Sequence, residues 1–203
     1  MSSPKGSYNL IITGVGGQGN VLSSQLIGQA LVRKGYFTTI GETYGASQRG
    51  GSVMSHIRIS SEKQLSPLIP KGKADIVVAL EPVEALRILT QYGNRETVVV
   101  ANIRPIYPVD VTSGSEKYPQ MEEIKKSLEG LSRKVYYLPA TEMAMKMGSP
   151  ILGNMIMLGF LLGLDILPLS LEEFRQTLSE NFSEERLEIN LQALEEGRRT
   201  IRA

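Results

Sequence analysis

The feature that most constrains this chain is a glycine-rich turn in a particular setting. Tyr8-Asn9-Leu10-Ile11-Ile12-Thr13 is a short apolar run, Gly14-Val15-Gly16-Gly17-Gln18-Gly19 follows it directly, and Val21 to Lys34 then reads as a helix. Strand, glycine turn and helix in that order fit G-x-G-x-x-G in the context it requires. The glycines permit a tight turn and close backbone approach, and the free N–H groups at the helix start can hold an anion. From spacing alone two readings stand side by side: a bound phosphate-bearing ligand, or simple close packing of the first helix on a sheet. Gln18 places an amide at the mouth of the turn, where it meets a ligand or braces another loop.

The following segments keep to an α/β pattern. Phe37 to Ile40 reads as a second strand, and Val53 to Ile59 alternates Val53, Ser55, Ile57 and Ile59 against Met54, His56 and Arg58. A polar loop without a helix joins these two, so at least one antiparallel pairing is expected. Ala74 to Leu80 and Thr97 to Ala101 are apolar runs suited to strands covered on both faces, and Pro82 sits where a first helical turn tolerates proline. Asn102 to Gln120, with Pro105, Pro108 and Pro119, reads as an irregular surface excursion. Met121 to Leu131 reads as a helix and Val135 to Leu138 as a strand. Ile151 to Leu164 reads as a buried helix, since Asp165 closes it too soon for a bilayer span. Ser170-Leu171-Glu172-Glu173 has capping-box spacing for a helix to about Glu180, and Ser183 caps a last helix with Leu187, Leu191 and Leu194 on one face. Residues 1–203 therefore predict one α/β domain, a three-layer α/β/α, Rossmann-like arrangement of a mostly parallel, mixed sheet, with C-terminal helices in 170–203.

Composition narrows the chemistry. None of the 203 residues is cysteine, which removes disulfides, thiolate zinc sites, cysteine nucleophiles and ordinary iron–sulfur clusters. His56 is the one histidine, so a multi-histidine metal site is excluded too. The net charge of +1 offers no global field for nucleic acid or an anionic membrane. Met1 to Tyr8 lacks the apolar stretch of a signal peptide, and a cytoplasmic address is expected.

A second concentration of information is Gly41-Glu42-Thr43-Tyr44-Gly45-Ala46-Ser47-Gln48-Arg49-Gly50-Gly51. Where the sheet is parallel, this loop leaves its strand at the same edge as the first glycine turn. Glu42 lies about 20 residues beyond that turn, where an acid holds an adenosine ribose in dinucleotide enzymes. Arg49 offers a five-donor fork for phosphate or carboxylate, or else an ion pair with Glu42. His56 reads as a packed or surface residue ahead of a general base, and the Glu-Glu pairs read as solvated helix faces. Met143, Met145, Met147, Met155 and Met157 read as adaptable core ahead of a binding face. Asn154 is the odd polar residue in the apolar stretch, satisfying a backbone group or reaching a neighbouring loop.

Several of these segments together resemble a known family. The turn Gly14 to Gly19, Gly41-Glu42-Thr43-Tyr44 leading to Gln48-Arg49-Gly50-Gly51-Ser52 and on to Arg58, Ser66-Pro67-Leu68-Ile69-Pro70, and Ala79-Leu80-Glu81-Pro82-Val83-Glu84-Ala85-Leu86-Arg87 are similar to the beta subunits of indolepyruvate:ferredoxin oxidoreductases, within the wider gamma-type domain of 2-oxoacid:ferredoxin oxidoreductases. Asn154 to Gly159 and Asn190 to Leu194 also suit the pattern. The resemblance implies a subunit of a complex that oxidatively decarboxylates indolepyruvate or another aryl 2-oxoacid to an acyl-CoA and passes the electrons to ferredoxin. It implies thiamine diphosphate, Mg and iron–sulfur clusters on a partner alpha subunit, coenzyme A as cosubstrate, a hetero-oligomer, and no activity in the isolated chain. It further implies active-site-facing or ligand-binding positions at Gly14, Gly16, Gly17, Gln18, Gly19, Glu42, Tyr44, Gln48, Arg49, Gly50, Gly51 and Asn154, with no catalytic side chain and no metal ligand in this chain. Tyr44 stands where many relatives carry histidine. The alternative carried by the glycine spacing and Glu42 is a free-standing oxidoreductase binding NAD(P) or FAD; a third reading is a non-enzymatic scaffold.

Overall fold

The computed structural model describes residues 6–44, 51–107, 109–115 and 117–202. Nine residues, Ser7–Val15, form β1; Asn20–Arg33 form α1, Phe37–Tyr44 β2, Ser52–Ser60 β3, Ile76–Ala79 β4, Pro82–Tyr92 α2, and Val98–Asn102 β5. Val109–Thr112 is a single turn, α3, followed by α4 (Met121–Leu131), β6 (Lys134–Leu138), α5 (Ala140–Lys146), α6 (Gly153–Gly163), α7 (Leu171–Asn181) and α8 (Glu184–Arg199). One sheet carries all the strands in the order β2-β3-β1-β4-β5-β6. β1, β4, β5 and β6 are mutually parallel, while β3 runs antiparallel to both β1 and β2, so the expected mixed sheet is present.

Period-two patterning decides which layer each side chain joins. Leu10 and Ile12 of β1, Ile76 and Val78 of β4, and Val100 of β5 pack under α1, α5, α6, α7 and α8. Their neighbours Ile11, Val77, Ala79, Val99 and Ala101 point the other way, under α2 and α4. Continuous apolar runs are thus the signature of strands buried on both faces. Helix α6 is buried along nearly its whole length, and among the described residues no helix is long and apolar enough to cross a membrane. Met155 and Met157 are fully buried, Met143 and Met147 partly so, and Met145 is exposed, which fits core filling for most of the group.

Four elements differ from expectation. Strand β2, expected to end near Ile40, runs on through Tyr44, so Glu42 and Tyr44 lie on the strand paired with β3 and not in the loop. Helix α5 follows Pro139 in a stretch whose methionines blur the apolar period. The apolar stretch from Ile151 begins its helix only at Gly153, after a 3-10 turn that leaves Ile151 71% exposed. The segment after Asn102, expected as an irregular surface excursion, contains α3 and is tied back to the sheet edge, as described below.

His56 is packed, 1% exposed, with Nδ1 accepting from the Ile69 N–H at 3.3 Å, its edge against Tyr92, and a buried Nε2 that has no hydrogen-bond partner among the described residues. Burial holds its pKa below the usual histidine value. In the window between that lowered value and about 6.5 the unfolded chain binds the extra proton, so stability is complete above pH 6.5 and declines as pH falls through it. Because the chain has one histidine, melting curves from pH 7.5 to 5.5 are expected to show a fall no steeper than about 1.4 kcal/mol per pH unit. That fall is expected to disappear in His56→Asn.

Candidate functional site

The ends of β1, β2, β4, β5 and β6 and the start of β3 meet at one edge of the sheet. The chain leaves β1 toward β2 and β3 on one side, whereas β4 lies on the other, so the crevice above β1 and β4 is a topological switch point. A cleft of about 370 Å³ opens there, lined by Gly17, Gln18, Leu80, Asn102, the Arg104–Ile106 segment, Thr141, Ile151, Asn154 and Met157.

The glycine turn is built by backbone necessity. Gly17 and Gly19 have φ of 101° and 87°, which glycine adopts without strain. A Cβ at Gly19 would lie 2.2 Å from Asn154 Nδ2, and one at Gly14 would lie 2.6 Å from Gln18 Oε1. Gly19 caps α1 without a side-chain hydrogen bond, and no acidic residue stands in the first turn. Asn20, 3% exposed, carries an amide whose two polar atoms have no hydrogen-bond partner among the described residues. A helix start with uncapped N–H groups and a buried, unpartnered amide can receive an anion.

The amides around the cleft are largely committed. Gln18 Oε1 accepts from the Val15 N–H at 2.7 Å, and its Nε2 donates to the Leu80 carbonyl at 2.8 Å. Asn102 Nδ2 donates to that same carbonyl at 3.0 Å and to Thr141 Oγ1 at 2.9 Å. The ends of β1, β4 and β5 are thereby laced together, and Gln18 is a brace. Asn154 does both things open to it: Oδ1 accepts from the Met155 N–H at 2.7 Å, while Nδ2 presses on the glycine turn.

The second glycine segment reaches the first, for Gly16 N–H donates to the Gly51 carbonyl at 2.8 Å. Tyr44 ends β2 at this edge, paired with Val53. Gln48, Arg49 and Gly50, and with them the alternative of an Arg49–Glu42 ion pair, lie outside the described residues. Glu42 accepts from Ser24 Oγ at 2.7 Å and from Ser55 Oγ at 2.6 Å, and it does not line the cleft. Both of its oxygens are engaged between α1 and β3, away from the cleft, so a ribose diol would have to share them with two serine hydroxyls, which disfavours the free-standing dinucleotide reading.

Sequence reasoning missed Asn102, Arg104, Thr141 and Ile151, all on the cleft. Only a polar residue ending an apolar strand pointed to Asn102. Reading the excursion as surface hid Arg104, while Thr141 and Ile151 sit in α5 and the 3-10 turn after it, short elements without a readable period. Near them Glu81, 2% exposed, caps α2 by accepting from the Glu84 N–H at 2.8 Å, and also accepts from Tyr118. Burial pushes the Glu81 carboxyl up, with the Glu84 charge adding to it, and burial beside Glu81 pushes the Tyr118 phenol up as well. Tyr118 therefore keeps its proton and stays a hydrogen-bond donor to Glu81 throughout the neutral range.

Residues 9–200 match the model of the pyruvate ferredoxin/flavodoxin oxidoreductase family. The chain is 39% identical to the indolepyruvate oxidoreductase subunit IorB of Archaeoglobus fulgidus, over 93% of this chain and 92% of that one. It is 28% identical to the ketoisovalerate oxidoreductase subunit VorA of Methanothermobacter thermautotrophicus over 92% of its own length, yet spans only 35% of that protein. Among solved structures, a 2-oxoglutarate:ferredoxin oxidoreductase from Magnetococcus marinus, described with 2-oxoglutarate, coenzyme A and succinyl-CoA bound, superimposes with a TM-score of 0.75 at 24% identity. That match covers 98% of this chain and 31% of the larger one.

Proposed function

Because the chain belongs to the pyruvate ferredoxin/flavodoxin oxidoreductase family, we propose that it is the small subunit of a 2-oxoacid:ferredoxin oxidoreductase acting on indolepyruvate or a related aryl 2-oxoacid. The reaction removes CO2 from the 2-oxoacid, transfers the acyl group to coenzyme A, and sends two electrons to ferredoxin. Thiamine diphosphate supplies carbanion stabilisation in such chemistry, and clusters carry the electrons. This chain does not fit either group: it has no cysteine, and no three acidic or histidine side chains gather as ligands among the described residues. Both are assigned to a partner alpha subunit, which also presents ferredoxin. Relatives in which this unit is about a third of a longer chain support such a partner, built like the remainder of that chain.

The observation that carries the reading is the abutment of Gly16 and Gly51 beside an uncapped helix start. Two glycine segments at one sheet edge bring the N–H groups of the turn and Arg104 to the rim of a cleft walled by Leu80, Ile106, Ile151 and Met157 and by the polar side chains of Gln18, Asn102, Thr141 and Asn154; Arg49, outside the described residues, is assigned to the same anion. That suits coenzyme A, with its anionic end at the turn and its thiol arm directed at a reactive centre held by the partner. In this role the chain binds, orients and excludes water; it moves no proton in the reaction.

On mixing with its partner subunit, the chain is expected to restore 2-oxoacid- and coenzyme A-dependent ferredoxin reduction, with neither chain active alone. Full turnover by this chain with added thiamine diphosphate overturns the assignment. So does micromolar binding of NAD, NADP or FAD, about −8 kcal/mol and readily seen by calorimetry.

A further inference from the structure

We propose that Glu81 is a positioning residue for this reaction: through Tyr118 and Ile106 it holds the Arg104–Ile106 wall against the glycine turn and so sets the width of the cleft. The inference rests on the reading of the cleft given above. Capping α2 requires one carboxylate oxygen, and Oε2 does that work. Oε1 faces away from the helix and accepts from the Tyr118 hydroxyl, 37 positions along the chain, and at 3.5 Å from the Ile106 N–H, 25 positions along. A serine or aspartate cap would serve the helix alone. Burying a carboxylate to 2% exposure is costly unless its hydrogen bonds are worth more than those of a simple cap.

Residues 103–107 carry no helix or strand. The excursion is also tied by the Ile103 N–H to the Leu138 carbonyl at 2.9 Å, by the Val83 N–H to the Tyr118 hydroxyl, and by Tyr118 packing on the core beneath α2 with Tyr107 at its edge. Ile106 and Tyr107 are 37% and 55% exposed, so burial does not anchor them. The same helical turn reaches the opposite wall, since Glu84 accepts from Ser52 Oγ at 2.6 Å and Ser52 follows the Gly51 that binds Gly16. One turn of α2 thus spans the two walls.

Tyr118→Phe removes one hydroxyl and keeps the ring contact. In the reconstituted complex it is expected to raise KM for coenzyme A about tenfold while kcat changes less than twofold. In the full-length chain, amide exchange of residues 103–107 is expected to accelerate about tenfold with β4 and β5 unchanged. Ser52→Ala is expected to raise the same KM without altering exchange at 103–107. Unchanged exchange in Tyr118→Phe overturns the positioning role and leaves the cleft reading intact. Accelerated exchange with both kinetic constants unmoved overturns the cleft reading instead. Acceleration throughout the molecule assigns Glu81 a structural role alone and overturns the proposal.

Discussion

Gly159→Ala is expected to destabilise the protein by about 3 kcal/mol, the upper end of the usual cost of overpacking. Helices α6 and α8 cross backbone against backbone. A Cβ at Gly159 would stand 1.8 Å from the Leu194 carbonyl oxygen, and one at Gly197 would stand 1.9 Å from that of Ile156. No rotamer change relieves a clash with a main-chain atom, so the helices must separate and the core beneath α6 must loosen. For a chain of this size the loss corresponds to a melting temperature lower by about 6–12 °C. Gly130 in α4 supplies the opposite sign: a Cβ there meets nothing within 4 Å, so Gly130→Ala is expected to stabilise by up to about 1 kcal/mol through helix propensity. Thermal melts of the two variants check both. A Gly159→Ala protein melting with the parent would mean that the crossing is wider than described.

Gly17→Asp is expected to raise KM for coenzyme A in the assembled enzyme at least tenfold above Gly17→Asn. Gly17 lines the cleft at φ 101°, with nothing within 4 Å of where its Cβ would be. Asparagine and aspartate share shape and backbone strain there and differ by one charge. Tenfold is about 1.4 kcal/mol, well inside the roughly 4 kcal/mol between unit charges 4 Å apart at a dielectric of about 20. The gap between the variants is expected to narrow as salt is raised. Equal KM values would mean that no anionic group sits in the turn.

Much of the fold was legible because local rules and tertiary packing agree. Met121–Leu131 forms a helix with the boundaries read from its sequence, and Ser170 caps α7 through the reciprocal box with Glu173. The missing helix between Phe37 and Ile59 implied the antiparallel β2–β3 pairing that is present. Helix α5 was not legible, because its seven residues span less than two helical turns and its methionines blur the period.

Residue types and spacing by themselves determined the layers, the glycine turn and the absence of sulfur ligands. They did so because strand alternation, glycine conformation and ligand chemistry are properties of residues one to four apart or of the whole composition. Only the tertiary structure decided that Gln18 is a brace, that Glu42 is spent on two serines, that Asn154 covers Gly19, and that Glu81 reaches Tyr118. The outcomes for Gln18, Glu42 and Glu81 are competitions among hydrogen-bond partners that tertiary packing brings within about 3 Å, and the outcome for Asn154 is close packing on the glycine turn. A polar side chain takes the partner that folding delivers to it, and for the first three that partner lies 13 to 62 positions away.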